Sequence, residues 1–362
     1  MKALTKCRMN RVNIIFGTIL FILLLLPSIG VSQENTQSAA KTQDTKKGRN
    51  NMLTEKPYFS ISLESDLCMG YFLLNGQLLY AAEMAPVKFD LPVNHWIKKG
   101  DNELVMMLAP VDEEGNFGKF PRNTKCTMTL RVKQSGSNSG EILTIAALKF
   151  AAIDPTGIEG NTPAGRLDSN NGFAPANNGD VLIGKAKKEP FQEVGAIVTR
   201  SITLPAIGLP EWKFFKSDNI TNLSGVDIAG RLDEETSDRL KKELLPIYRK
   251  IWSALKARKV EEVLPLFEER NKETDAAFFK KPGDTGKMLA KELKDSASDP
   301  NKKLWPITDD NVIIQIYDNN KLVRLSQNNQ KPLLSFDHVT DKISFSYDVI
   351  FRKSGNKWII TR

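Results

Sequence analysis

Histidine and cysteine are scarce in this chain, with 2 and 3 residues among 362. Zinc and haem sites generally draw on more such ligands than that, so no metal or other cofactor is expected. His95, in Asn94-His95-Trp96, and His338, next to Asp337, lie far apart in sequence and assemble neither a metal triad nor a Ser-His-Asp relay. A phosphate loop is missing as well. Gly283-Asp284-Thr285-Gly286-Lys287 has neither the G-x-x-x-x-G-K-[ST] order nor a strand ahead of it. Asp112-Glu113-Glu114 and Asp309-Asp310 lack the spaced ligands of a dedicated calcium loop and read as solvated turns. Beyond the first 32 residues, no apolar run approaches the roughly 20 residues of a membrane span.

What is present suits a folded, two-domain protein: 41% of residues are hydrophobic, 26% charged and 8% aromatic. The formal charge is +8, but Lys2, Lys6, Arg8 and Arg11 stand in a start free of acids, which leaves +4 on the rest. Lys241-Lys242, Lys280-Lys281 and Lys302-Lys303 are interleaved with acids such as Glu268-Glu269 and Asp309-Asp310. That is a mixed solvated surface, and no nucleic-acid partner is expected.

Residues 1–32 carry a basic stretch ending at Arg11, an apolar run over 14–26, and small residues at the −3 and −1 positions of a cut after Ser32. The run reaches about 20 Å at about 1.5 Å per residue, short of the roughly 30 Å hydrocarbon core. A cleaved secretory signal is expected, with an uncleaved anchor as the alternative. Cys7 precedes the run and so cannot carry a lipoprotein's lipid. The mature product is expected in the periplasm or secreted, with no permanent span. Residues 33–56 are polar and read as a disordered tether.

Eight short apolar or alternating runs follow, at 58–63, 68–74, 78–82, 87–91, 103–108, 126–132, 142–150 and 194–204, which predicts an all-β sandwich over 57–215. Asn75-Gly76 marks a tight hairpin between two of them, and Lys99-Gly100-Asp101-Asn102 marks another turn. The Gly- and Asn-rich stretch 154–180 reads as a long mobile loop. After a connector at 216–232, Leu240, Leu244, Ile247, Ile251 and Leu255 share one helical face, in a helix that Pro246 is expected to kink or divide. Further helices are expected at 260–271 and 284–297, and strands at 312–318, 322–326, 343–352 and 357–362. Helices followed by an antiparallel sheet describe an α+β domain over 233–362. Alternation puts Phe345, Tyr347, Val349 and Phe351 on one face.

Phe72-Leu73-Leu74-Asn75-Gly76-Gln77-Leu78, then Phe89-Asp90-Leu91 and Ile97-Lys98-Lys99-Gly100-Asp101-Asn102-Glu103-Leu104, resembles the jelly-roll sandwiches of the galactose-binding-like superfamily. This resemblance implies a scaffold and no particular binding residue. The segment 256–267 together with Lys357-Trp358-Ile359-Ile360-Thr361-Arg362 is similar to the cone-shaped nuclear-transport-factor/ketosteroid-isomerase superfamily, whose curved sheet packs on helices. Enzymes of that family place a carboxylate base and a buried Tyr or acid inside the cone. Tyr347 and Asp348 are neighbours on a strand, point opposite ways, and do not form such a pair.

Cys68 and Cys126, the cysteines left after export, are expected to form a structural bridge, the alternative being two buried thiols. Trp96, Trp212 and Phe214 are binding candidates, as are Tyr347 and Asp348. The cluster of Trp212, Phe214 and Phe215 fits either a plug between domains or a sugar platform. With no acid-base-nucleophile set in view, the expected function is an exported, non-catalytic envelope protein that binds a protein partner or small ligand; an immunity-type protein is one such form. The alternatives are an enzyme with a carboxylate site in the C-terminal cone, or a carbohydrate-binding protein.

Overall fold

A computed structural model describes residues 53–82, 86–110, 120–121, 123–135, 142–152, 165–167, 181–191, 195–205, 207–221, 232–317, 320–328, 331–340 and 343–362. The leader, most of the tether, most of the 154–180 loop and Asp112-Glu113-Glu114 lie outside these residues.

The N-terminal region is built from β1 (Pro57–Asp66), β2 (Met69–Leu74), β3 (Gln77–Ala82), β4 (Val87–Pro92), β5 (Gly100–Ala109), β6 (Lys125–Gln134), β7 (Leu143–Ala152), β8 (Gly165–Leu167), β9 (Leu182–Ile183), β10 (Lys187–Phe191) and β11 (Gly195–Leu204). They form two antiparallel sheets, β4-β1-β6-β7-β8 and β10-β11-β5-β2-β3, with β9 beside β11. Each strand sends alternate side chains inward. Phe59, Ile61 and Leu63 of β1, Met128, Leu130 and Val132 of β6, and Leu104, Met106 and Leu108 of β5 are fully buried in one core. The result is a β-sandwich-like body closed by a disulfide between Cys68 and Cys126.

The turn after β2 explains how one edge of that body is fixed. Asn75 and Gly76 both have positive φ, at 55° and 80°, as a two-residue hairpin requires. The buried Asn75 side chain donates from Nδ2 to the Trp96 carbonyl at 2.7 Å and to Asn102 Oδ1 at 2.9 Å. Asn102 in turn donates to the carbonyls of Lys98 and Gly100. This amide pair sets the Lys98-Lys99-Gly100 turn against the hairpin, so both lysines project from a rigid support.

The C-terminal region opens with α1 (Glu234–Lys256), capped by Asp233, whose carboxylate accepts the Thr236 amide at 2.8 Å. Expectation and structure part at Pro246: α1 runs through it as one helix of 23 residues. Pro246 and Lys242 are both exposed, so the carbonyl that proline leaves without a donor faces solvent. The expected helix at 260–271 is instead two short 3₁₀ turns (Val260–Glu262 and Leu264–Phe267, the second with Pro265 near its start) leading into α2 (Glu268–Ala277). Then comes α3 (Asp284–Ser298).

Seven strands follow: β12 (Lys302–Leu304), β13 (Val312–Tyr317), β14 (Leu322–Gln327), β15 (Leu334–His338), β16 (Ser344–Tyr347), β17 (Phe351–Ser354) and β18 (Lys357–Ile360). They make a three-stranded sheet β12-β15-β16 and a four-stranded sheet β13-β14-β17-β18. The single strand expected at 343–352 is therefore two strands in two sheets. Tyr248 of α1 accounts for the break. Its hydroxyl donates to the Val349 carbonyl at 2.6 Å and accepts the Leu325 amide at 3.1 Å, standing where a strand-to-strand bond would be. The alternating face survives the break. Val349 and Phe351 join the core under α1, Phe345 and Tyr347 pack against it, and Ile350 turns to the core of the sandwich. Among the described residues, no helix is long and apolar enough to cross a membrane.

Candidate functional site

The two cores meet along α2. Glu269 and Glu273, four residues apart, project from the same face of that helix. Glu269 accepts from Arg352 Nε at 2.6 Å and Nη2 at 2.7 Å, and from Lys213 Nζ at 3.1 Å. Burial pushes the Glu269 carboxyl up, but the bonds from Arg352 and Lys213 outweigh it and hold the group below its usual range. Glu273 accepts Arg362 Nη1 at 2.5 Å and the Lys213 amide at 3.0 Å.

Arg362 completes this junction. Its guanidinium lies over the rings of Phe214, Trp96 and Trp212, at 4.6, 5.3 and 5.5 Å from their centroids. Nη2 donates to the His95 carbonyl at 3.0 Å. A side chain only 4% exposed thus places its cation against three aromatic faces of the sandwich while a carboxylate of the α+β region neutralises it. Burial lowers the guanidinium pKa, and Glu273 acts against that shift. Asn94 adds a second tie: its Nδ2 donates to the carbonyls of Pro57 and of Ala277 at the end of α2.

The structure brings Trp96, Trp212 and Phe214 together around Arg362, and the Trp212 indole donates to the Ile97 carbonyl at 2.9 Å. Trp212 is 1% exposed, with its ring inside the junction. Tyr347 and Asp348 are elsewhere and diverge. Tyr347 Oη meets Ser296 Oγ at 2.8 Å and the Glu292 carbonyl at 3.1 Å, with burial raising the phenol's pKa. Asp348 pairs with Arg324 at 2.5 Å. Lys302 Nζ lies 3.4 Å from Ser296 Oγ, so a Ser-Lys-Tyr cluster exists; Ser296 is 4% exposed, which makes the cluster a clasp between α3 and the sheet. His338 Nδ1 lies 3.1 Å from Thr340 Oγ1, and Asp309 pairs with Arg249. No group of three or more His, Cys, Asp or Glu among the described residues is placed to hold a metal ion.

Beside the Arg362 seat, a groove of about 650 Å³ opens at the junction. Its floor is Ile207, Leu209, Pro210 and Phe215, and its rim carries Lys98, Lys99, Glu211 and, from the β13–β14 connection, Lys321. The floor exists because the chain after β11 is pinned down. The Gly208 amide donates to the Leu53 carbonyl at 2.8 Å, and a Cβ at Gly208 would stand 2.1 Å from the Thr54 carbonyl oxygen, so only glycine permits this approach. Lys98 Nζ lies 5.0 Å over the Phe215 ring and Lys321 Nζ donates to the Ser217 carbonyl at 2.6 Å. The Glu211 carboxylate is neutralised by Lys216 at 2.5 Å. No carboxylate among the described residues pairs with Lys98, Lys99 or Lys321. The groove thus combines an apolar floor with a net positive rim among the described residues.

His95 makes the junction sensitive to acid. Its ring packs 4.9 Å from Trp96 and 5.5 Å from Phe278, and its Nδ1 is buried without a partner. Burial first, then the charges of Arg362 and Arg270, hold its pKa well below the ordinary 6.5. Once pH falls under about 6.5 the unfolded chain takes up a proton that the folded protein refuses, so stability drops by up to about 1.4 kcal/mol per pH unit. The depressed carboxyl of Glu269 loses its contribution only at lower pH, below the usual 4.5. Urea unfolding at pH 7.5, 6.5 and 5.5 is expected to show a loss of only about 0.3 kcal/mol over the first step and of about 1 kcal/mol over the second. His95→Gln should flatten that profile; a flat wild-type profile would refute the assignment.

The sequence reading did not single out Arg362, Glu269, Glu273, Tyr248 or the lysine rim. Lys98-Lys99 carried the signal of a turn, and nothing in the local sequence links it to Lys321. Comparison of the chain with protein-family models, with curated proteins and with solved structures gives no match.

Proposed function

We propose that this chain is an exported, non-catalytic binding protein of the cell envelope, and that the lysine-rimmed groove at the junction is where it engages its partner. In this reading a jelly-roll-like sandwich and a cone-like α+β domain act as one body, placed by the leader in the periplasm or outside the cell. The observation that carries it is the groove itself, an apolar floor with cations from both regions that no carboxylate among the described residues pairs with. Two further features support it. The space between the C-terminal sheet and α1 is taken up by Phe336, Val349 and Phe351, each at most 2% exposed. The half-buried Glu269 carboxylate is engaged by Arg352 and held below its usual range, an arrangement that favours a fixed charge over proton transfer near neutral pH, and Glu273 is engaged by Arg362. The Cys68–Cys126 disulfide suits an oxidising compartment. Occupying an exported toxin, as immunity proteins do, is one form this function takes.

The test is capture from envelope extract by the chain and by its Lys98→Glu/Lys99→Glu variant, tagged ahead of Leu53. A stoichiometric partner retained by the first and lost by the second is the expected result. Equal retention by both, or none by either, overturns the proposal.

A further inference from the structure

We infer that the groove's occupant is an acidic, extended protein segment that lays an apolar side chain on the Ile207-Leu209-Pro210-Phe215 floor and its carboxylates against Lys98, Lys99 and Lys321. This rests on the reading of the groove as the binding surface and adds the chemistry of what binds there.

Charge decides the sign of the partner. Among the described residues, the three rim lysines have no carboxylate partner, and the rim acid Glu211 is already paired with Lys216. An anionic occupant gains from all three cations, whereas a cationic one meets repulsion that no free carboxylate among the described rim residues offsets. The same argument excludes the chain's own tether. The described chain begins at Leu53, whose carbonyl is fixed to Gly208 between the floor residues Ile207 and Leu209. The sequence just ahead holds Lys41, Lys46, Lys47 and Arg49 against Glu34 and Asp44, so it carries the groove's own sign.

The shape decides between a protein segment and a lipid. An acyl chain is stabilised where its length is enclosed by apolar surface, and each methylene left in water forfeits that gain. Here four apolar side chains share the lining with three lysines that come from both regions of the chain. A peptide that sets one or two apolar side chains among carboxylates matches that alternation. The floor is also stiff. Trp212 is tied to the Ile97 carbonyl, Lys98 stacks on Phe215, and the Asn75–Asn102 pair holds the Lys98-Gly100 turn. Little ordering of the protein is then needed on binding.

The experiment uses fluorescein-labelled hexapeptides with a central Leu-Phe flanked on each side by two acids, by two lysines, or, as a third probe, six residues with the acids kept and Leu-Phe replaced by Ser-Ser. Anisotropy titrations are run with the full mature chain and with Lys98→Glu/Lys99→Glu and Leu209→Asp variants. Thermal melts establish that each variant is folded. The acidic Leu-Phe probe is expected to bind, to weaken as salt rises, and to lose at least about tenfold in affinity with the charge-reversed protein. Leu209→Asp and the Ser-Ser probe should each weaken binding by a similar factor. Equal binding of the lysine probe, or no binding of the acidic one, overturns the inference. Vesicles containing anionic phospholipid are run in parallel: binding to them that the Lys98→Glu/Lys99→Glu change abolishes, with the acidic peptide silent, overturns it in favour of a membrane surface. The envelope capture separates the two levels. Capture lost in the charge-reversed variant while the peptide fails to bind keeps the groove and rejects the acidic segment; capture indifferent to the variant rejects the groove.

Discussion

Arg362→Ala is expected to lower the free energy of unfolding by about 3–5 kcal/mol, the usual cost of stranding one partner of a buried ion pair. The Glu273 carboxylate is 10% exposed at the side chain and would keep only the Lys213 amide and a long contact to Thr361 Oγ1. The three ring contacts of the guanidinium, at 4.6 to 5.5 Å, are lost as well. Two companion variants separate these contributions. Glu273→Gln with Arg362→Met removes both charges and retains an apolar stem among the rings, so it should recover much of the loss. Arg362→Lys keeps the charge but not the planar group that reaches Glu273 and the His95 carbonyl together, and should recover less. The readout is urea unfolding followed by indole fluorescence, because Trp96 and Trp212 both line the Arg362 seat. In the Ala variant their signal should change at lower urea than the far-ultraviolet circular dichroism, as the junction opens before the cores. A loss below about 1 kcal/mol with coincident transitions would show that the junction is held by other contacts.

That junction also shows where sequence reading stops. Short-range rules foresaw the parts whose causes are local: the Asn75-Gly76 hairpin, whose two residues adopt the required positive φ, and the α1 face of Leu240, Leu244, Ile251 and Leu255 that buries against the C-terminal sheets. Alternation likewise sent Val349 and Phe351 to one core. The break between β16 and β17 was not legible because its cause is the hydroxyl of Tyr248, a partner 101 residues from Val349 in the chain. Arg362 belongs to the same class. Its seat is assembled from Trp96, Trp212, Phe214 and Glu273, and only the fold makes them neighbours. The aromatic cluster at Trp212 was visible as a candidate, but whether its rings face a ligand or the protein depends on that distant arginine.

Removing the Cys68–Cys126 bridge by Cys68→Ala/Cys126→Ala is expected to cost about 4 kcal/mol through the chain-entropy effect alone, since the bond closes a loop between residues 58 apart in sequence. Both cysteines are fully buried in the sandwich core, so the truncation adds a packing loss to the entropic one. The effect should fall on the N-terminal region: hydrogen exchange in β1 and β6 should accelerate, while α1 and β14, whose core under Tyr248 contains neither cysteine, should be protected as before once Arg362→Ala has uncoupled the two. Without that second change, both regions should lose protection together, because the buried Arg362–Glu273 pair joins the sandwich side of the junction to α2. Intact mass with alkylation, before and after reductant, supplies the direct check. The untreated chain should be unavailable to alkylation at both cysteines and gain two labels on reduction. Two labels taken up by the unfolded, unreduced chain would remove the bridge, and with it the support that the thiols lend to an oxidising compartment.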